Sequence, residues 1–359
     1  MTMDLYIDYL ICSTSYTTAT GLSELTDNAI SHDKVTRFLS SKDYTGADLL
    51  KQGKSLYRSV EDEDAVLIID DTIEKKPYTD ENDLISWHFD HTESRSVKGV
   101  NLVTALYETQ KGSLPVGYEL IKKTEKTINE KTGKVQRKSP ITKQEIYRQL
   151  IQSAINNNVK FKYALNDTWF SSSENMRFIV NGQKHFVMPL KSNRKVALSE
   201  ADKLSNNFVR IDSIDSGEDI LVRLEDVDFP LRFTRQVFKD GDGSAGVLYL
   251  VSDDIELTNE QMNAIYKRRW KVETYHESLK NNASLEKSPT KKERTQANHL
   301  FASLCAYMRL ESLSMKIKFN HFALKGKIYM IALKKAMLEL QRIRSSNNFQ
   351  FDHHHFAPA

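Results

Sequence analysis

The sequence predicts an α/β protein whose sheet-and-helix core is interrupted by a strand-rich segment. Three observations support this class. Residues 65–69 are an apolar, largely β-branched run, which is typical of a buried strand. Strand patterns and helical patterns then alternate up to residue 184. A late helix, residues 257–280, is predicted to carry charged residues on one stripe.

Composition fits a globular protein and excludes several classes. The 359 residues suggest two or three domains, and 40% hydrophobic with 28% charged residues is ordinary. A net charge of +3 permits nucleic-acid binding without demanding it. Cys12 and Cys305 form no CxxC pair, which argues against a disulfide framework or a cysteine zinc site. No apolar run approaches the ~20 residues of a membrane span and no signal peptide is apparent, so we expect a cytoplasmic protein without membrane contact.

Residues 1–60 are predicted to be short helices. Two of them, separated by a polar turn, suggest a helix-turn-helix DNA reader with His32, Lys34 and Arg37 facing DNA. An ordinary helical packing domain explains the same pattern equally well, and the sequence leaves both possibilities open.

The first candidate acids follow the buried strand in AVLIIDDT, where Asp70 and Asp71 are expected at its carboxyl edge. Open α/β sheets bind their ligands at that edge. Unpaired carboxylates at the end of a buried strand are unfavourable unless they bind a metal or find partners. The alternative is that one of the two caps the following turn.

A second candidate acid lies after the next buried strand. A hairpin is predicted from strands at 101–109 and 114–121, followed by a basic segment, residues 122–138, and an amphipathic helix, residues 141–156. Strand 161–165 then leads to Asp167, just before a helix signal. Here the alternative is an aspartate that only caps the helix. His88 and His91 lack the spacing of a zinc site.

The late helix carries four residues on one stripe: Tyr266, Arg269, Glu273 and Lys280. At about 100° per residue they fall within about 60°, over about 21 Å of helix. Such a stripe suits a helix that holds one metal-binding carboxylate against a phosphate backbone. Glu277 lies on the same face as a rival acid, and a plain solvated helix is the alternative.

The spacing Tyr-x2-Arg-x3-Glu-x6-Lys resembles the YREK box of DDE transposases from bacterial cut-and-paste insertion sequences of the IS-four-like superfamily. The resemblance implies that Glu273 is the third catalytic acid and Asp167 the second. The family's Asp-x-Thr/Ser pattern selects Asp70 as the first, with Asp71 as the fallback. Thr72 and Lys75 are then expected near the DNA backbone.

Three acids in this order, on elements β–β–β–α–β–α, predict a ribonuclease H-like core. Converging carboxylates can hold two divalent ions about 3.5–4 Å apart. Oxygen ligands suit Mg2+, with Mn2+ as a substitute. Tyr266, Arg269 and Lys280 are expected to contact phosphate oxygens. The resemblance also implies double-stranded DNA partners, namely terminal inverted repeats and target DNA, and a homodimer on DNA.

The predicted domains are a helical N-terminal DNA-binding domain, two parts of the core separated by an all-β insertion, and a C-terminal helical region. Their bounds are 1–60, 61–184, 185–255, 256–315 and 316–359. The predicted activity is that of a transposase, a metal-dependent nuclease and polynucleotidyl transferase. A nuclease without strand transfer and an inactive, domesticated DNA-binding protein are the alternatives. The end sequence, target preference and use of a hairpin intermediate are not encoded in any visible pattern.

Overall fold

The computed structural model describes residues 1–91, 93–128, 130, 133–214, 220–239 and 245–346. The chain begins with four helices, α1 (Met3–Cys12), α2 (Ala19–Leu25), α3 (His32–Ser40) and α4 (Gly46–Ser59). Each follows a serine or threonine whose side-chain oxygen accepts a backbone N–H of the first turn, namely Thr2, Thr18, Ser31 and Thr45. The expectation of short N-terminal helices is confirmed.

These helices pack on the body of the protein. The Tyr6 hydroxyl lies 3.0 Å from His299 Nδ1, and Asn298 Nδ2 donates to the backbone oxygen of Leu39 at 2.7 Å. Tyr6 and Leu39 also belong to the common buried cluster. On α3, His32, Lys34 and Arg37 are exposed. Their exposure is compatible with a helix that contacts DNA, and the helix-turn-helix reader stays a prediction.

The first half of the central sheet is an antiparallel set of four strands. They are β1 (Val66–Lys75), β2 (Ser86–Asp90), β3 (Arg95–Glu108) and β4 (Ser113–Leu120). Strand β3 pairs with β1 along one edge and with β2 and β4 along the other. The basic segment then forms a separate hairpin of β5 (Glu125–Ile128) and β6 (Val135–Lys138).

The sheet continues through parallel strands joined by helices. Helix α5 (Lys143–Asn156) leads to β7 (Tyr163–Asn166), and α6 (Ser173–Asn181) leads to β8 (His185–Leu190). Strand β7 lies parallel to β1, and β8 lies parallel to β7. The order β4–β3–β1–β7–β8, antiparallel at first and then parallel, is a mixed α/β sheet that fits a ribonuclease H-like domain.

The region 185–255 differs from the expected all-β insertion. Its elements after β8 are β9 (Lys195–Val196), α7 (Glu200–Leu204), β10 (Val209–Arg210), β11 (Leu221–Val222), β12 (Leu231–Lys239) and β13 (Ala245–Ser252). A helix therefore interrupts the strands, because Ser199 caps the sequence EADKL by accepting the N–H of Asp202. Strands β13, β12 and β11 add to the free edge of β8, so they extend the central sheet.

The late helix is also divided. Helix α8 (Asn259–Lys267) follows the Thr258 cap, a 3-10 turn spans Arg268–Trp270, and α9 (Lys271–Asn281) completes the segment. At the turn, Arg268 reaches across to the carboxylate and backbone oxygen of Glu108 at the end of β3. The expectation of one continuous helix over residues 257–280 is thus corrected to two helices with a tighter turn between them.

Two long helices end the described chain. Helix α10 (Glu293–Ile317) is buried along most of its length and packs against α1, α3 and α4. Helix α11 (His321–Ser346) is mostly exposed, and the last predicted region continues beyond the described residues from 347 onward. Within the part of the chain that the structure describes, no helix is long and apolar enough to span a membrane.

Candidate active site

Asp70 and Asp167 come from neighbouring parallel strands at the same level of the sheet. The parallel pairing of β1 and β7 ends at Ile69 opposite Asn166, and each aspartate is the next residue along the chain. Asp167 directly follows β7, as expected. Asp70 does not end its strand, however, because β1 stays paired with β3 as far as Lys75 opposite Gly99. The strand end predicted at Asp70 is instead the point at which β1 stops pairing with the parallel strand β7.

The Asp70 carboxylate is poorly compensated. Its Oδ1 accepts the backbone N–H of Asp71 at 2.8 Å, and its Oδ2 lies 3.5 Å from Arg269 Nη1. Burial, followed by the negative charge of Asp167, raises the pKa of Asp70 to about 7. A strongly raised carboxyl pKa beside a second acid is typical of a functional site.

Asp167 both caps a turn and faces the site. Its Oδ1 accepts the N–H groups of Trp169 and Phe170 at 3.0 and 3.3 Å, at the start of the 3-10 turn Thr168–Phe170. Within the described residues, its Oδ2 has no hydrogen-bond partner. Burial raises the pKa of this carboxyl as well. Capping and metal binding are therefore compatible, since they use different oxygens.

Asp71 occupies a different environment. Successive side chains of a strand point to opposite faces, and Asp71 Oδ2 accepts from Asn101 Nδ2 at 2.7 Å and from Lys143 Nζ at 2.8 Å. These two partners already compensate its charge. The contacts favour Asp70 over Asp71 as the acid that is free to bind another cation.

Glu273 approaches the aspartates from α9. Its Oε1 lies 3.5 Å from Arg269 Nη1, the same nitrogen that contacts Asp70, so the two carboxylate oxygens are separated by at most twice that distance. Its side chain is 46% exposed. The rival acid, Glu277, is exposed one turn later, and no contact among the described residues ties it to either aspartate.

The other predicted DNA contacts divide into two groups. The Tyr266 hydroxyl donates to the backbone oxygen of Asn166 at 3.2 Å, and the Arg269 guanidinium lies 5.8 Å from the centre of its ring. Tyr266, Arg269 and Glu273 thus converge on the aspartates despite the break in the helix. Lys280 instead pairs with Glu286 at 3.1 Å.

The two candidates on β1 are less well placed for DNA. Lys75 pairs with Glu93 and lies 3.7 Å from Asp90. Thr72 is only 8% exposed, and as the second residue after Asp70 it lies on the same face of β1 as that acid. The contacts of Thr72 and Lys75 with DNA stay predictions.

The carboxylates suit a divalent cation, although the described residues hold no cluster of three or more acid, histidine or cysteine side chains arranged as a metal site. Asp70 and Asp167 offer hard oxygen ligands, and burial raises the pKa of both carboxyl groups. Arg269 supplies the nearby positive charge. The chemistry of the two aspartates therefore fits a divalent cation, and Glu273 lies beside them across Arg269.

Several residues at the site escaped the sequence analysis. His276 is buried on α9, and its Nε2 has no hydrogen-bond partner among the described residues. Burial lowers its pKa to about 4, so it is neutral at pH 7. Its position three residues after Glu273 and four before Lys280 would have placed it on the same helix face. Asn166 and Lys143, in contrast, are recognisable only from their tertiary contacts with Tyr266 and Asp71.

A comparison with protein-family models identifies a family over more than half of the chain. Residues 2–206 match the family described as DDE superfamily endonuclease. The matched segment includes Asp70 and Asp167 and ends before Glu273. No curated protein matches the chain.

Proposed function

Because the chain belongs to the DDE superfamily endonuclease family, we propose that it is the transposase of a bacterial insertion sequence. In this proposal Asp70, Asp167 and Glu273 are its three catalytic acids. The observation that carries the proposal is the pairing of Ile69 with Asn166, which places Asp70 and Asp167 side by side while Arg269 links Asp70 to Glu273. The enzyme cuts double-stranded DNA at the element ends and joins the freed 3′-hydroxyl to target DNA.

The three acids would hold two Mg2+ ions, or Mn2+ in their place. When bound, such ions activate the attacking water or 3′-hydroxyl and stabilise the leaving oxygen of an in-line displacement at phosphorus. The two aspartates would hold the ions in fixed positions, because Asp70 lies within a paired strand and the Asp167 carboxylate accepts two backbone N–H groups. Asp71 stays bound to Asn101 and Lys143, and it supports the strand without binding metal.

In this proposal Arg269 pairs first with carboxylates of the site and then with a DNA phosphate. Without DNA, its guanidinium lies between the Asp70 and Glu273 carboxylates. A scissile phosphate offers it a better, bidentate partner. Transfer of Arg269 to the phosphate would open the space between the acids just when substrate arrives. Tyr266 keeps this arginine close to the site through the contact with its ring. In this proposal Lys280, in the last turn of α9, leaves Glu286 and contacts the DNA backbone.

The remaining features belong to the same proposal. The spacing of Tyr266, Arg269, Glu273 and Lys280 supports a proposed place among the IS-four-like transposases, with a homodimer acting on terminal inverted repeats. We propose a cytoplasmic, nucleoid-associated dimer in which the helices of residues 1–60 contribute to end recognition. The exposed His32, Lys34 and Arg37 on α3 support this role.

Cleavage of a labelled duplex that carries the inverted repeat flanking the coding region tests the proposal. Wild-type protein should cut it only with Mg2+ or Mn2+. Glu273→Gln should bind the duplex and lose cleavage by about 10³-fold or more. The matched control is Glu277→Gln, one turn further on the same helix, which should cut within a few-fold of wild type. Equal loss in both variants, or metal-independent cutting, would refute the assignment.

A further inference from the structure

Aromatic side chains are exposed along the edge strand β2 and in the turn after Asp167. Trp87, Phe89 and Trp169 are 53%, 52% and 49% exposed. Trp87 and Phe89 are two residues apart on β2 and so project from the same face, whereas Ser86 and His88 between and beside them are buried. Large exposed rings on one surface usually mark a binding site.

Three aromatic rings are in contact, and Trp87 lies beyond Phe89 on the same face of β2. The centre of the Phe89 ring lies 5.0 Å from that of His91, and His91 lies 5.4 Å from Trp169. The contacts are edge-on or tilted, so the flat faces of the rings are not stacked on each other. We call Trp87, Phe89, His91 and Trp169 the aromatic row.

One end of the aromatic row touches the candidate active site. The backbone N–H of Trp169 donates to Asp167 Oδ1 at 3.0 Å. The aromatic row therefore reaches the turn that Asp167 caps.

Cations accompany the rings on both sides. Lys98 Nζ lies 6.0 Å from the centre of the Trp87 ring. Trp169 also lines a cleft of about 780 Å³ together with Lys191, Arg194 and Lys195, and the acidic Glu225 and Asp226 line the same cleft. Exposed rings with cationic groups beside them suit the bases and phosphates of a nucleic-acid strand.

We propose that the aromatic row binds the unpaired bases of a single DNA strand next to the cut. In a duplex the faces of the bases are covered by their neighbours, so only an unpaired strand can stack on these rings. The inference rests on the proposed function, because cleavage at an element end is what frees a strand beside Asp167. The row assigns Trp87, Phe89, His91 and Trp169 to strand positioning, a role separate from the three acids.

Binding of a fluorescein-labelled 12-nucleotide oligothymidylate, measured by anisotropy in EDTA, tests this assignment without requiring cleavage. Trp169→Leu and Phe89→Leu keep an apolar side chain but remove the ring, so each should weaken binding by about tenfold. Trp169→Phe keeps a ring face and should stay within about threefold of wild type. A duplex of the same length should bind all of these variants equally.

The control variant is Tyr16→Leu, which also removes an exposed ring. Tyr16 lies between α1 and α2, outside the elements that carry the aromatic row. It should leave oligonucleotide binding unchanged. Binding within twofold of wild type for both leucine variants would overturn the proposal. So would concentration-dependent self-association that is lost in the leucine variants while oligonucleotide binding persists, since the row would then be an interface between copies of this chain.

Parallel cleavage assays separate the two proposals. Unchanged oligonucleotide binding in Trp169→Leu, together with Mg2+-dependent cutting that Glu273→Gln abolishes, refutes the aromatic row and leaves the transposase proposal intact. Ring-dependent oligonucleotide binding in a protein that never cuts an end duplex refutes the transposase proposal and leaves a single-strand binding surface.

Discussion

Arg269 lies between Asp70 and Glu273, with one guanidinium nitrogen 3.5 Å from a carboxylate oxygen of each. This single side chain bridges an acid in the central sheet and an acid on a distant helix. The neighbouring Asp167 adds further negative charge, which Arg269 only partly offsets. The site is therefore balanced by an arginine in the absence of metal, and a divalent cation must compete with that arginine.

The competition predicts the effect of Arg269→Gln on metal affinity. Without the guanidinium, Mg2+ no longer has to displace a cation from the carboxylates, so half-saturation should occur at a several-fold lower Mg2+ concentration than in wild type. Thermal unfolding of DNA-free protein across a Mg2+ titration measures this. Lys271→Gln removes one exposed positive charge from the same segment and serves as the control. A higher Mg2+ requirement in Arg269→Gln would contradict the bridging role.

The two adjacent aspartates of β1 are predicted to have opposite effects on stability. In metal-free protein at pH 8, Asp70→Asn removes a poorly compensated buried charge and should raise the free energy of unfolding by about 1–3 kcal/mol. Asp71→Asn removes the partner of Lys143 and should lower it by about 1–3 kcal/mol. Urea unfolding in EDTA distinguishes them, and a destabilised Asp70→Asn would show that Asp70 is a structural acid.

The same two variants are predicted to separate catalysis from support. Asp70→Asn should reduce end cleavage by about 10³-fold or more, because it removes a proposed metal ligand. Asp71→Asn should retain cleavage within about tenfold, since its contacts are with Asn101 and Lys143. Single-turnover cleavage rates at saturating Mg2+ provide the comparison. Reversed effects would assign the first catalytic acid to Asp71.

The raised pKa of Asp70 predicts a pH dependence of stability. Between the ordinary aspartate pKa of about 3.9 and about 7, the folded protein holds a proton on Asp70 that the unfolded chain has lost. The contribution of Asp70 to the free energy of unfolding therefore falls as pH rises through this range. The advantage of Asp70→Asn over wild type should grow from pH 4 to pH 7 and then level off. An advantage independent of pH would mean that the Asp70 pKa is not raised.

A buried contact ties the last helix to the glutamate helix. His321 at the start of α11 has Nδ1 2.8 Å from Ser278 Oγ on α9 and Nε2 2.7 Å from Glu311 Oε2 on α10. His321→Ala removes one contact from the Ser278 hydroxyl and one from the Glu311 carboxylate, so it should lower the free energy of unfolding by about 1–3 kcal/mol. Ser278→Ala, which removes only one partner, should have a smaller effect. Equal stability of His321→Ala and wild type in urea unfolding would contradict the contact.

The presence of the strands that lead to Asp70 and Asp167 is more predictable from sequence than the lengths of those strands. The apolar run before Asp70 and the short strand before Asp167 predict strands that the structure contains. The predicted end of β1 was too early, because Asp-Asp-Thr-Ile-Glu-Lys lacks an apolar pattern and is held in the strand by pairing with β3. Local sequence does not contain that pairing.

The choice between rival acids depended on tertiary contacts. From the residues alone, Asp70 and Asp71 were equivalent, and the partners of Asp71 come from β3 and α5, 30 and 72 residues further along the chain. The strand-rich region 185–255 was recognised from its alternating pattern, yet only backbone pairing shows that β13 joins β8 and extends the central sheet. Periodicity predicts the face of a strand or helix on which a residue lies, whereas its contact partners depend on the tertiary fold.

The central claim is that Asp70 and Asp167, with Glu273 beside them, bind catalytic metal ions. Anomalous scattering from crystals of the protein with an end duplex and Mn2+ tests it most directly. The account predicts a Mn2+ peak about 2.1 Å from carboxylate oxygens of both Asp70 and Asp167, with Glu273 turned toward the metals and Arg269 moved onto the DNA phosphate. A peak bound by Asp71, or none at the Asp70–Asp167 pair, would contradict it.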